Sequence, residues 1–413
     1  MVYYIDPGTG SMLFTILIGV LSAGVYAIKN LIIKLRFLTS GGNVNTVKTN
    51  AIPLVIFSDD KRYLGVFEPI CDEFERRGAD VVYMTASPDD PLLEKQYEHV
   101  KCQFIGEGNR AFAKLNMLKA DIVLSTTPGL DVYQWKRSRE VKYYVHIVHQ
   151  ISDVTIYHMF GIDYYDAILV SGEYEIDQVR QLEALRKLPR KEVVVVGQPY
   201  MDTLWAKKEA MTEKPHEGTT VLLAPSWGDS AIFKKYGGKI IDELLKTGYH
   251  IIIRPHPQSF KSETDLMDKL MKEYPESDQL EWNRDTDNFD VLSRSDILIS
   301  DFSAVMFDFT LIFYRPIIYS ASDFDKSPYD AYWLSEDPWT LRSLPKLGRE
   351  LNAEDLQSLK QVIDGCLTSE TFAENREIAR SETWANIGES AKLTVDYLLK
   401  KQAEISGEGG ASD

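Results

Sequence analysis

The chain is poor in cysteine: Cys71, Cys102 and Cys366 are its only thiols in 413 residues, far apart and without a CxxC pair. That excludes a disulfide framework and a zinc knuckle, and it fits reduced, cytosol-facing thiols. Positive charge is also in deficit, with 46 Lys plus Arg against 62 Asp plus Glu and a formal net charge of −16. A general nucleic-acid binder needs a basic surface to displace counterions, so no nucleic acid is expected as a partner. A small anionic substrate stays open, because local field and net charge are separate matters. No P-loop lysine motif, G-x-S-x-G elbow or HExxH pair is present, so no metal or other cofactor is expected. Long apolar runs are lacking everywhere except near the N-terminus.

That one run, Met12 to Ile28 (MLFTILIGVLSAGVYAI), carries no charge, and the uncharged stretch reaches back to Pro7. A helix crosses a bilayer with roughly 20 apolar residues. Lys29, Lys34 and Arg36 follow directly, and the positive-inside rule puts that basic side in the cytoplasm. The basic leader of a cleaved signal peptide is missing. The expectation is a single-pass anchor in the cell membrane over 1–38, a polar linker over 39–50, and cytoplasmic domains beyond. A buried hairpin or a surface-lying amphipathic segment is the competing reading.

After the linker, strand-like runs alternate with helical patterns. Pro53–Ser58, Asp80–Met84, Cys102–Ile105, Asp121–Ser125, Tyr143–Val148, Ala167–Val170 and Val193–Val196 read as strands, with helices after Ser58, near Pro88–Glu98 and over Tyr174–Leu188. The rhythm breaks over 206–218 and restarts with Val221–Ala224, His250–Ile253, Leu280–Trp282, Ile297–Ser300 and Pro316–Tyr319. This is the βαβα pattern of parallel sheets covered on both faces. Two Rossmann-like domains are expected, over 51–205 and 219–370, with a ligand cleft between them. Helices over 371–402, with caps at Asn352 and Ser381 in the C-terminal region, and a flexible tail over 403–413 complete the reading.

The candidate chemistry gathers at strand ends. Arg254-Pro255-His256-Pro257 follows Ile251–Ile253, and Asp301-Phe302-Ser303 follows Ile297–Ser300. In an open α/β sheet the carboxyl ends of neighbouring strands share one crevice. Arg254 brings forked donors suited to phosphate, and the flanking prolines restrict the backbone around His256. Ser303 stands at a fresh helix N-terminus, which attracts anions; simple N-capping is its other reading. Asp301 would repel phosphate and reads as an orienter or cap, and Asp308 is a carboxylate on an apolar helix that needs a partner. In the first half, His146 and His149 end one strand. His149, at the tip, is the candidate general base, His146 reads as core, and His158 could assist from the next loop. Gly106–Ala111 fits G-x-G-x-x-A but lies outside the first βα turn, and Asp285-Thr286-Asp287 reads as a solvated turn rather than a metal site.

Ser295 to Asp325 (SDILISDFSAVMFDFTLIFYRPIIYSASDFD) resembles the signature of CDP-glycerol glycerophosphotransferases, the teichoic-acid primase and polymerase group. Arg254–Pro257, Leu222–Asp229 (LLAPSWGD), Tyr164–Glu175 and Val193–Asp202 match in order and spacing, so the likeness spans roughly 120 to 325. It implies a GT-B fold: two Rossmann-like domains, the donor held mainly by the second. It implies His149 as the base on the acceptor hydroxyl. Arg254 and a catalytic His256 would hold the donor diphosphate and ease departure of CMP, Ser303 would bind the same phosphates, and Ser226, Asp301 and Asp308 are counted in the nucleotide site. The implied partners are a CDP-activated polyol donor, a lipid-linked or glycan acceptor, and the membrane. A GT-B enzyme on a nucleotide sugar, a glycosyltransferase or a UDP-sugar 2-epimerase, is the alternative.

Overall fold

Two all-parallel sheets organise the chain in a computed structural model that describes residues 51–212, 218–285, 287–301, 303–320 and 325–407. The first sheet holds β1 (Ile52–Ser58), β2 (Val81–Thr85), β3 (Val100–Phe104), β4 (Ala120–Ser125), β5 (Val141–Ile147), β6 (Ala167–Val170) and β7 (Glu192–Val195). Its spatial order is β3-β2-β1-β4-β5-β6-β7. The second holds β8 (Thr220–Ala224), β9 (His250–Ile253), β10 (Leu280–Trp282), β11 (Ile297–Ser300), β12 (Ile317–Tyr319) and β13 (Gly348–Glu350), in the order β10-β9-β8-β11-β12-β13. The strands are continuous apolar runs because helices cover both faces; Leu54, Val55, Ile56 and Phe57 of β1 are all fully buried. Each order reverses once, between β1 and β4 and between β8 and β11. Crevices open at such switch points, beyond the carboxyl ends of the strands. This is the GT-B arrangement of two doubly wound lobes.

The helices that matter below are α1 (Leu64–Arg77), α2 (Tyr174–Arg186), α3 (Pro199–Ala210), α4 (Val305–Phe313), α5 (Trp339–Leu347), α6 (Glu370–Thr383) and α7 (Ser390–Ser406). The last two do not form a separate appendage. Ala379 of α6 and Trp384 just after it join the second lobe's core around Phe309 and Leu344. Val395 and Leu398 of α7 pack with Leu54, Phe67 and Ile70 of the first lobe. The chain therefore returns to the first lobe, and α7 runs to Ser406, into the stretch expected as tail.

Other differences have local causes. The helix expected near Pro88–Glu98 is a single 3-10 turn, Pro91–Leu93. Lys95 and Tyr97 reach instead to Asp72 on α1, which draws the segment out along that helix. α3 continues to Ala210, past the expected boundary at 205, and 213–217 lie outside the described residues. Ser381 sits inside α6, whose cap is Ser369, accepting from the Phe372 N–H; Asn352 does cap, as one half of a capping box with Asp355. β13 escapes sequence reading because it is three residues long and two of them are charged. Among the described residues no helix is long and apolar enough to cross a membrane. The anchor expected over 1–38 and the linker over 39–50 lie outside the described residues.

Candidate functional site

A cavity of about 450 Å³ opens between the two switch points. The first lobe contributes Arg62, Tyr63, His149, Gln150 and Tyr200; the second contributes Arg254, His256, Asn288, Ser303 and Asp308.

His149 stands just beyond β5 and is held on one side only. The Thr126 hydroxyl, fully buried after β4, donates its one proton to the Ile147 carbonyl at 2.7 Å. Its 2.9 Å contact with His149 Nδ1 must then be accepted, so Nδ1 carries the imidazole proton and Nε2 keeps a free lone pair. The Tyr63 and Tyr157 rings flank the imidazole at 4.8 and 6.0 Å between centroids. Burial, with the Arg62 charge adding to it, pushes the His149 pKa down to about 4. At neutral pH the ring is uncharged and its open nitrogen is a proton acceptor.

The opposite wall is built for donation. The Gln258 N–H donates to His256 Nδ1 at 3.1 Å, so a neutral His256 carries its proton on Nε2. Burial, and then Arg62, lower the His256 pKa as well. Arg254 leaves β9 and spends one N–H on Asn283 Oδ1. Asn283 in turn donates to Asp285 at 2.8 Å, and Asp287 pairs with Lys207 of α3 at 2.9 Å. Asp285 thus supports the arginine's partner, and Asp287 ties the second lobe to α3. Among the described residues no cluster of His, Cys, Asp and Glu could hold a metal ion.

Ser303 and Asp308 lie where β11 turns into α4. Ser303 lines the cavity beside Ala304 and Val305, the opening of the helix, so free backbone N–H groups accompany its hydroxyl. The Asp308 carboxyl is 7% exposed and accepts a long 3.4 Å hydrogen bond from the Tyr200 hydroxyl. Burial pushes its pKa up to about 7. Tyr200 reaches the cavity because α1 passes close by at Gly65. A Cβ there would stand 2.7 Å from Tyr200 Cδ2, inside contact distance.

The structure brings His149, His256, Arg254, Ser303 and Asp308 to one cavity, but not Ser226 or Asp301. The Asp301 carboxylate is fully buried and accepts from the backbone N–H groups of Ser226 (2.9 Å) and Ile232 (3.2 Å). The pair braces the loop after β8, so Asp301 orients that loop and neither residue lines the cavity. His146 is fully buried, its Nε2 3.1 Å from the Tyr157 hydroxyl, and burial drops its pKa to about 3. His158 stacks on Tyr329 at 5.2 Å and does not line the cavity. Gly106–Ala111 also lies elsewhere, beyond the edge strand β3. Sequence reading missed Arg62, Tyr63, Tyr200 and Thr126. The signal for the first two was their place: they follow β1, the strand at the switch point.

Comparison with known proteins bears on this cavity. Residues 161–331 match the family described as CDP-Glycerol:Poly(glycerophosphate) glycerophosphotransferase. The minor teichoic acid biosynthesis protein GgaB of Bacillus subtilis (strain 168) is 27% identical over 158 residues. That stretch is 37% of this chain and only 15% of GgaB, so the chain spans a small part of that relative. Among solved structures, the wall teichoic acid polymerase TagF superposes with a TM-score of 0.58 at 15% identity, covering 94% of this chain and 98% of that one. The UDP-GlcNAc 2-epimerase of Neisseria meningitidis, bound to UDP-GlcNAc, gives 0.55 at 13% identity over 84% of this chain and 99% of that one. At such identities these structures establish the shared fold.

Proposed function

We propose, on the match of residues 161–331 to the CDP-glycerol glycerophosphotransferase family, that this chain moves a glycerol-phosphate or related polyol-phosphate unit from a CDP-linked donor to a hydroxyl of a lipid-linked or glycan acceptor. The reaction belongs to cell-envelope polymer synthesis. The observation that carries this reading is the presence in one cavity of a neutral imidazole with an open nitrogen, His149, and of donors suited to phosphate oxygens, Arg254, His256 and Ser303. In the proposed step the acceptor oxygen attacks the β-phosphorus in line. Its proton passes to His149 Nε2, the bond between the β-phosphorus and the bridging oxygen breaks, and CMP departs. His256 Nε2–H and Arg254 stabilise the charge that develops on the leaving phosphate. Positioning and charge neutralisation supply most of the catalysis in such transfers. The uncharged run at 12–28 followed by Lys29, Lys34 and Arg36 supports a single-pass anchor, with the lobes working at the cytoplasmic face of the membrane where a lipid-linked acceptor is presented.

The test is CMP release from CDP-glycerol and CDP-ribitol with membrane acceptors. Turnover that falls roughly 10²–10⁴-fold in His149→Ala supports the assignment. A chain that turns over no CDP-polyol but binds UDP and processes a UDP-sugar would replace it with a nucleotide-sugar enzyme, a reading the fold likeness to the 2-epimerase keeps in play.

A further inference from the structure

The second lobe offers one guanidinium for a diphosphate, and Arg254 has already given one N–H to Asn283. Across the cavity stands another. Arg62 sits on the 3-10 turn Lys61–Tyr63 directly after β1, and the Asp60 side chain caps that turn by accepting the Arg62 N–H at 2.9 Å. Its guanidinium lies 4.9 Å from the centroid of the Tyr63 ring, and that ring packs 4.8 Å from His149. The neighbouring carboxylates are engaged elsewhere: Asp59 accepts from the Thr127 hydroxyl at 2.8 Å, and Asp60 serves the turn. Among the described residues Arg62 forms no ion pair, although the Asp308 carboxylate lines the same cavity. Its charge disfavours protonation of both His149 and His256, so it lies within electrostatic reach of both imidazoles.

We propose that Arg62 is a catalytic residue: the cation that, from the lobe carrying the base, holds the phosphoryl group during its transfer. The β-phosphate is then gripped by guanidinium groups from both lobes, Arg254 on the leaving-group side and Arg62 on the side of attack. This rests on the transferase reading above. Arg62 makes and breaks no covalent bond. As the acceptor oxygen closes on phosphorus and the bond to CMP opens, negative charge spreads over the equatorial oxygens, where a forked, permanent cation acts most strongly. A stacked, capped arginine is already in place, so little reorganisation is needed at that moment.

The experiment compares the nucleoside mono- and diphosphate. CMP and CDP binding are measured by calorimetry for the wild type, Arg62→Gln and Arg62→Lys, with melting temperatures as the check on folding. The β-phosphate alone should feel the change. CDP weakens about tenfold in Arg62→Gln, the worth of a charge-assisted contact, while CMP stays within about twofold. With CDP-glycerol, kcat falls roughly 10²–10³-fold, the usual effect of removing one transition-state donor, and Arg62→Lys, which keeps the charge but loses the fork, lies between. Equal weakening of CMP and CDP, or of neither, overturns the proposal. If the wild type binds UMP and UDP instead, the donor assignment fails while the same comparison on the uridine pair still decides Arg62. A wild type that binds neither pair sinks both.

Discussion

At the scale of single residues, the site depends on which nitrogen of each histidine carries the proton. Thr126 sets this for His149 by donating to Ile147 and leaving its oxygen to accept. Thr126→Val keeps the shape and removes the acceptor. The imidazole can then turn or change tautomer, and kcat should fall roughly 10²-fold while CDP affinity stays level; a variant with unchanged kcat would show that Nδ1 needs no partner. The depressed His149 pKa has a second consequence. The base is competent only when deprotonated, so the acid limb of kcat/KM in the free enzyme should fall near pH 4 and not near the ordinary 6.5. Asp308 runs the other way. Its folded pKa is raised to about 7 from 3.8, so its protonated form is the stable one when folded. The stability it contributes is complete below 3.8 and is lost as pH rises through about 7, a loss of at most about 4 kcal/mol at 1.36 per unit. Asp308→Asn, which cannot ionise, should therefore gain on the wild type between pH 5 and pH 8 in urea melts. A gap that does not move with pH would count against the burial assigned to this carboxyl. The residues at the tips of apolar strands were legible from sequence, because a β-branched run followed by Arg, His or Ser marks its own end. For Asp301 the orienting role was legible but its partners were not. Whether a carboxylate faces a ligand or the next loop depends on the neighbouring strand β8, which is remote in sequence.

At the scale of elements, the joint between the lobes is made by a helix end. The first two N–H groups of α5, on Trp339 and Thr340, donate to Asp153 of the first lobe at 2.7 and 2.8 Å, and the Thr340 hydroxyl adds a third bond at 2.7 Å. Gln178 of α2 donates to the same carboxylate, which is 2% exposed. A residue from one lobe thus caps a helix of the other. Asp153→Ala would leave two buried helix N–H groups and an amide without partners, at a cost of about 2–4 kcal/mol. Equilibrium urea unfolding measures it, and a loss below about 0.5 kcal/mol, the level of a surface substitution, would refute the capping role. All the strands but β13 were readable to within a residue or two, because most are apolar runs buried on both faces. The helix ends were less so. α3 has almost no break in composition at residue 205, and a cap supplied from the other lobe leaves no local pattern, since Asp153 is 186 residues from Trp339.

At the scale of the whole molecule, the two lobes are also strapped together. The segment 328–334 leaves the second lobe and lies on the first: the Met159 N–H donates to the Pro328 carbonyl at 3.3 Å, the Asp330 N–H to the Tyr157 carbonyl at 3.0 Å, and the Phe160 N–H to the Asp330 carboxylate at 2.8 Å. Asp330 is fully buried, and its charge is matched by Arg186 of α2, which also holds Asp163 at 2.6 Å. The Arg186 guanidinium lies 4.8 Å from the Phe160 ring and 6.0 Å from that of Trp333, closing the strap under aromatic cover. This cluster was invisible in sequence, because its members come from three separate stretches and none carries a motif. Removing one partner of a buried ion pair strands the others, which costs about 3–5 kcal/mol. Arg186→Ala leaves two buried carboxylates facing each other with no cation, and the loss falls on the joint and not on either sheet. Calorimetry should therefore resolve the single unfolding transition of the wild type into two, with the first lobe, to which both Arg186 and Asp163 belong, melting earlier. CMP affinity should stay close to the wild-type value, because Arg254, His256 and Ser303 all sit in the second lobe. One sharp transition at the wild-type temperature would mean that α6, α7 and the Asp153 cap hold the lobes together without the strap.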